Sequence, residues 1–128
     1  MADLENGIWG GAADHSTNDI SWIDANAHDF ITAMVKGGSN GFGLRGGNAQ
    51  AGELRMLYDG RRPNHYQPMK KQGALILGIG GDNSDRTIGT FYEGCVTAGL
   101  ASNATDALIQ ANIVAAGYGQ AIVKTVPV

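Results

Sequence analysis

Apolar positions along this chain change their spacing once. From residue 28 to residue 97 they come in short β-branched and aromatic runs broken by glycine; from 103 to 116 they follow helical spacing. The first run, 28–36 (HDFITAMVK), predicts a strand, and the glycines and Asn40 of 37–41 predict a hairpin turn, since both residue types tolerate positive φ. Further strands are expected at 42–45 and 53–59. In 53–59, Leu54, Met56 and Tyr58 alternate with Arg55 and Leu57, the period of a half-buried strand. Residues 73–79 (GALILGI) form a nearly continuous apolar run, expected to be a strand buried on both faces. Residues 90–97 read as another strand, with Phe91, Glu93 and Cys95 on one face and Tyr92, Gly94 and Val96 on the other. Residues 10–27 read as a polar loop, with a short strand at 20–23 around Trp22 and Ile23; 60–68 and 80–89 also read as loops. The helical stretch, 103–116, places Ala104, Leu108, Ala111 and Ala115 on one face, widened by Ile109 and Ile113, and predicts that face as the packed one. Asn103 or Thr105 is placed to cap its start, and Gly117 to end it. Residues 120–128 read as a β-prone tail.

About six short strands with glycine turns predict an all-β protein, a β-sandwich with one C-terminal helix. Six strands are few for two closed sheets, which points to part of a larger domain. Composition agrees. Glycine supplies 20 of 128 residues, about twice the usual ~7%, and each costs a helix ~1 kcal/mol relative to alanine. No internal repeat interrupts the pattern.

Charge narrows the partners. A net charge of -3 gives no electrostatic footprint for nucleic acid. No run approaches the ~18 apolar residues that span a bilayer, and the first residues, Met-Ala-Asp-Leu-Glu-Asn, lack the basic start and apolar stretch of a secretory signal. Nucleic acid and membrane are therefore not expected partners. Cys95 is the single cysteine and is expected to be a small buried strand residue.

Several motifs fail on chemistry. Residues 82–93 have the span of a calcium loop with an acid at each end, but Arg86 and Thr87 stand where an oxygen ligand and a glycine are needed. The glycines of 78–81 follow an apolar run but do not match a dinucleotide fingerprint. His15, His28 and His65 lack metal-ligand spacing and are read as surface residues, so no metal or cofactor is expected. Glu93 is expected to pair with Arg45 or Arg86, or to face solvent. What remains is a pair of acids beside amides and small residues: Glu5 in Asp3-Leu4-Glu5-Asn6, and Asp82 in Gly80-Gly81-Asp82-Asn83-Ser84. Acid/base work on a glycosidic bond needs two carboxyl groups, one ionised and one protonated, though sequence spacing alone leaves open whether these are two ordinary loop acids.

A collinear set of segments resembles one family. It runs from Asp3-Leu4-Glu5-Asn6 through Phe30-Ile31-Thr32-Ala33-Met34-Val35-Lys36-Gly37-Gly38, Leu44-Arg45-Gly46-Gly47-Asn48-Ala49 and Tyr58-Asp59-Gly60-Arg61-Arg62-Pro63. It continues through Gly73 to Ser84, Gly89-Thr90-Phe91-Tyr92-Glu93-Gly94 and Gln110-Ala111-Asn112-Ile113-Val114-Ala115-Ala116. These are similar to the catalytic domain of family 54 glycoside hydrolases, of the α-L-arabinofuranosidase B type. The resemblance covers residues 1–118 and leaves 119–128 as a tail.

The resemblance implies a concanavalin-like jelly-roll sandwich and retaining release of terminal α-L-arabinofuranosyl groups from arabinoxylan or arabinan, outside the cell. It implies Glu5 as nucleophile and Asp82 as general acid/base, with Asp3, Asn6, Gly81 and Asn83 at sugar-binding positions. The charges of Asp3 and Glu5 would raise the pKa of Asp82, as a proton donor requires. The family also has a long segment before the Asp-x-Glu-Asn motif, so the chain is expected to be the C-terminal portion of that domain and to need the earlier part as a partner. The alternative from another class is a non-catalytic concanavalin-like carbohydrate-binding module, which needs no such acid pair.

Overall fold

The computed structural model describes residues 2–3, 7–8, 23–39, 41–61 and 89–120. Their framework is a three-stranded antiparallel sheet of β3 (Ile31–Gly37), β4 (Gly41–Asn48) and β5 (Arg55–Arg61), with β4 central. A second, two-stranded sheet pairs β1 (Ala2–Asp3) with β2 (Gly7–Ile8), and one helix, α1 (Asn103–Ala115), follows near the end. The described part is thus mostly antiparallel sheet with one helix. The apolar run at 73–79 and the loop at 80–88 lie outside the described residues, as do 10–22 and the tail from 121 onward.

The β3–β4 hairpin forms where the turn signals stand. Gly37 pairs with Phe42, and the Gly38 amide donates to the Gly41 carbonyl at 3.0 Å. Gly37, Gly38 and Gly41 do not take positive φ, which among the described glycines occurs at Gly52, Gly99, Gly117 and Gly119, and Asn40 lies outside the described residues. The strands run longer than expected: β4 reaches Asn48, and β5 extends through Gly60 to Arg61 in place of a loop.

The register of β5 corrects the alternation read from sequence. Leu44 pairs with Tyr58 but Arg45 pairs with Met56, so a bulge between Leu44 and Arg45 leaves Leu57 unmatched. One extra residue re-aims the side chains around it. Leu57 is therefore buried, whereas Met56 is 55% exposed.

Ile8, Ile23, Leu44 and Leu57 form the apolar core, with Ile31, Phe42 and Tyr58 packed against it. Ile8 and Ile23 exchange two backbone hydrogen bonds of 2.8 Å, and of the short strand expected at 20–23 only Ile23 is among the described residues. The bridge lies on β4 at Gly46. A Cβ there would stand 2.9 Å from Ile8 Cδ1 and 3.1 Å from Ile23 Cδ1, so any side chain at this position would push both isoleucine tips aside. Aromatic stacking of Phe42 on Tyr58, centroids 4.6 Å apart, extends the core toward the hairpin end.

Residues 90–97 are not a strand. They run without regular structure and are exposed throughout, and Cys95 is exposed rather than buried. An alternating sequence becomes a strand only when a ladder partner lies alongside, and no described strand borders this segment. Glu93 faces solvent, the last of its expected roles, and accepts from the Tyr118 hydroxyl at 2.6 Å.

The helix is found where helical spacing put it but packs the other way. Ser102, not Asn103 or Thr105, is its N-cap and accepts from the Thr105 amide, and Gly117 follows the end at φ +70°. Asp106 and Gln110 are its buried residues, and Ile109 and Ile113 of the expected stripe are half-buried beside them, while Leu108 is 70% exposed and Ala104, Ala111 and Ala115 are exposed. Gln110 anchors one end, its amide donating to the Asn48 carbonyl at 2.7 Å. A helix faces whatever can satisfy it, and the sheet surface opposite α1 carries Lys36 and Arg45. Leu108→Ala should consequently change stability by no more than ~0.5 kcal/mol. Gln110→Ala, which removes the donor from the part-buried Asn48 carbonyl, should cost ~0.5–1.5 kcal/mol. Urea unfolding midpoints of the two variants measure the contrast, and a larger loss from Leu108→Ala would put the packed face where the sequence placed it.

Candidate functional site

Of the six site residues expected from sequence, the structure describes one in part. Asp3 lies in β1, its backbone opposite Gly7 of β2. Glu5, Asn6, Gly81, Asp82 and Asn83 lie outside the described residues. Among the histidines, His28 is half-buried after a 3-10 turn at Ala25–Ala27, and His15 and His65 lie outside the described residues. What the structure does give is the support on either side of Glu5. β1 precedes it and β2 follows it, and β2 ends in Ile8, which is 2% exposed and locked to the main sheet through Ile23.

The strongest polar constellation is one the sequence reading did not assemble. Asp106, 2% exposed on α1, receives Lys36 Nζ at 2.7 Å and Arg45 Nε at 2.9 Å, both on Oδ2. Arg45, itself 3% exposed, also donates from Nη2 to Asn103 Oδ1 at 2.7 Å and to Asp59 Oδ2 at 3.1 Å. Two cations and two carboxylates therefore neutralise one another between sheet and helix. Neutrality is what makes the burial tolerable, since an isolated buried charge costs several kcal/mol. Arg45 Nη1 and Asp106 Oδ1 are buried without a hydrogen-bond partner among the described residues. The signal was present in the sequence: Arg45 is the single charge within a glycine-rich strand, and Asp106 interrupts an apolar helix.

Beside this cluster, the hairpin end, the end of β5 and the chain entering α1 enclose an open hollow of about 340 Å³. Lys36, Gly43, Asp59 and Leu100 are on its wall. At the opposite end of the helix, Phe30, Tyr92 and Tyr118 form an aromatic trio with centroids 5.2–5.5 Å apart. The Tyr118 phenol is raised above its ordinary value of 10.0, chiefly by its hydrogen bond to Glu93. Among the described residues, no group of acids, histidines and cysteines is placed to hold a metal ion, and no helix is long and apolar enough to cross a membrane.

Comparison with known proteins follows the same segments. The profile of the family "Alpha-L-arabinofuranosidase B, catalytic" matches residues 1–119. A probable α-L-arabinofuranosidase B of Aspergillus fumigatus is 49% identical over 130 residues, covering 99% of this chain and 25% of that protein. An α-L-arabinofuranosidase of Hypocrea jecorina is 48% identical over 129 residues, again 25% of its length. The chain thus spans about a quarter of the curated relatives it matches. A solved family 54 α-L-arabinofuranosidase variant, soaked with 4-nitrophenyl α-L-arabinofuranoside, superposes with a TM-score of 0.62 at 52% identity, over 71% of this chain and 19% of that one.

Two outcomes follow from the polar geometry. Asp106→Ala, which strands Arg45 and Lys36, should cost ~3–5 kcal/mol, whereas Asp59→Ala, at the exposed edge, should cost ~0–1 kcal/mol. Chemical denaturation distinguishes them, and equal losses would mean that the cluster is no anchor. The second concerns alkali. The Tyr118–Glu93 bond needs the protonated phenol, so its contribution is complete below pH 10 and is lost as pH rises through the elevated folded-state pKa. Spectrophotometric titration of tyrosinate should show a late-ionising component that Tyr118→Phe removes and Glu93→Gln moves earlier.

Proposed function

The chain belongs to the α-L-arabinofuranosidase B catalytic family, and we propose that it carries the reacting residues of a retaining hydrolase that releases terminal α-L-arabinofuranosyl groups from arabinoxylan or arabinan. The observation that carries this reading is the match across residues 1–119, which takes in the segments of both acids in one collinear stretch. In this reading the family 54 likeness also supports a jelly-roll sandwich for the complete domain and an extracellular place of work, where plant polysaccharide is met.

The reaction uses two carboxyl groups about 5–5.5 Å apart. Glu5, ionised, attacks the anomeric carbon. As that bond forms, the glycosidic C–O bond breaks and Asp82 gives its proton to the departing oxygen. The product is an arabinosyl ester on Glu5. Asp82, now a carboxylate, takes a proton from water, whose oxygen displaces Glu5 from the anomeric carbon. Two inversions leave configuration retained. Asp3, Asn6, Asn83 and the Gly81 backbone hold ring hydroxyls, with bonds that strengthen in the transition state. The Ile8–Ile23 bridge supports this assignment by fixing the strand that follows Glu5.

The test uses this chain joined to the remaining catalytic-domain sequence of the Hypocrea jecorina relative. Glu5→Ala should abolish hydrolysis of 4-nitrophenyl α-L-arabinofuranoside, and azide should restore turnover with formation of the inverted glycosyl azide. Asp82→Ala should slow substrates with poor leaving groups far more than the activated aryl glycoside. Unchanged turnover in Glu5→Ala would remove that residue from the role, and sugar binding without hydrolysis in the parent would favour a binding module.

A further inference from the structure

The hollow beside the Arg45 cluster has the makings of a second sugar subsite. Its volume, about 340 Å³, is at the lower end of the ~300–1,000 Å³ of small-ligand sites, the size for one or two sugar rings. Its wall brings together the group types that recognise a polyol. Asp59, with a side chain 54% exposed, uses Oδ2 for Arg45 and has a second carboxylate oxygen to accept hydroxyl protons. Lys36 stands on the same wall and brings an ammonium donor. Leu100, 61% exposed, offers an apolar surface for the C–H face of a ring.

Two features select the ligand class. Lys36 and Arg45 balance Asp59 and Asp106, so the cluster favours neither an anion nor a cation. A neutral ligand with many hydroxyl groups fits that balance, because each hydroxyl both donates and accepts. The second feature is the bare backbone at Gly43. A Cβ there would stand 3.2 Å from Arg45 Nη1, a buried nitrogen without a partner among the described residues, and 3.7 Å from Asp59 Oδ2. Gly43 thus gives the wall of the hollow a stretch of bare backbone beside the guanidinium–carboxylate pair. None of the residues assigned to the reaction is on this wall.

We propose that this hollow binds a neutral sugar unit of the polysaccharide, apart from the arabinofuranosyl group being cleaved. The proposal rests on the arabinofuranosidase reading for the choice of sugar alone. A polymer held at a second point gains affinity through effective concentration without altering the reacting groups.

The experiment titrates β-1,4-linked xylotriose, a neutral sugar with no arabinofuranosyl group to cleave, into this chain joined to the remaining catalytic-domain sequence of the Hypocrea jecorina relative and follows backbone amide resonances. The proposal expects shifts at Lys36, Gly43, Asp59, Gly60 and Ala101, with Kd in the millimolar range. Gly43→Val should fill the hollow and weaken binding at least about tenfold, or 1.4 kcal/mol. Leu100→Asp, altering a side chain already exposed, should weaken binding without disturbing the fold and serves if Gly43→Val does not fold. Glu5→Gln should leave these shifts unchanged, which separates this subsite from the reaction. Absence of shifts at the hollow, or equal affinity in Leu100→Asp and the parent, overturns the proposal even if Glu5 proves to be the nucleophile.

Discussion

The architecture turns on one buried ion pair. Arg45 lies in the middle of the central strand and Asp106 lies on the helix, both almost inaccessible, joined at 2.9 Å. The guanidinium fork reaches three acceptors at once, Asp106, Asn103 and Asp59, and so ties two positions on α1 to the end of β5. A lysine in its place would offer a point charge without that geometry. Because the pair is buried, its partners are obligatory: remove one, and the other becomes an uncompensated charge in a poor solvent for charge. Lys36 completes the neutralisation from the neighbouring strand.

The two faces of the sheet are thereby divided. One holds the helix through ions and amides. The other carries Leu44 and the isoleucine bridge that secures β2. Gly46 is the hinge of this second arrangement, since the side chains of Ile8 and Ile23 occupy the space its own would need. The strands on either side of Glu5 are short, and the insertion of Ile8 into the core, more than its pairing with β1, fixes the position of β2.

The sequence made much of this framework legible. Strands around β3, β4 and β5, the hairpin between the first two, and the helix were all read from periodicity and glycine placement, because those signals are local. The family was legible from the ordered motifs, and the match to residues 1–119 bears it out. The acids Glu5 and Asp82 remain a proposal, since their segments lie outside the described residues. Local signals misled where a partner decides. Residues 90–97 alternate like a strand yet have no described strand alongside, and Met56 alternates inward on paper but is turned out by a one-residue bulge. Cys95, placed inside by that strand reading, is exposed with it.

Sequence by itself determined which segments could be strand or helix, where the chain turns, and to which family it belongs, because propensity, spacing and ordered motifs are properties of neighbours along the chain. Tertiary structure alone decided which side of each element faces inward. On α1 it chose Asp106 and Gln110 over Leu108, against hydrophobic periodicity. The reason is physical: a buried arginine on the opposing strand requires a carboxylate more than an exposed leucine requires cover, since the cost of an unpaired buried charge exceeds the gain from burying one aliphatic side chain.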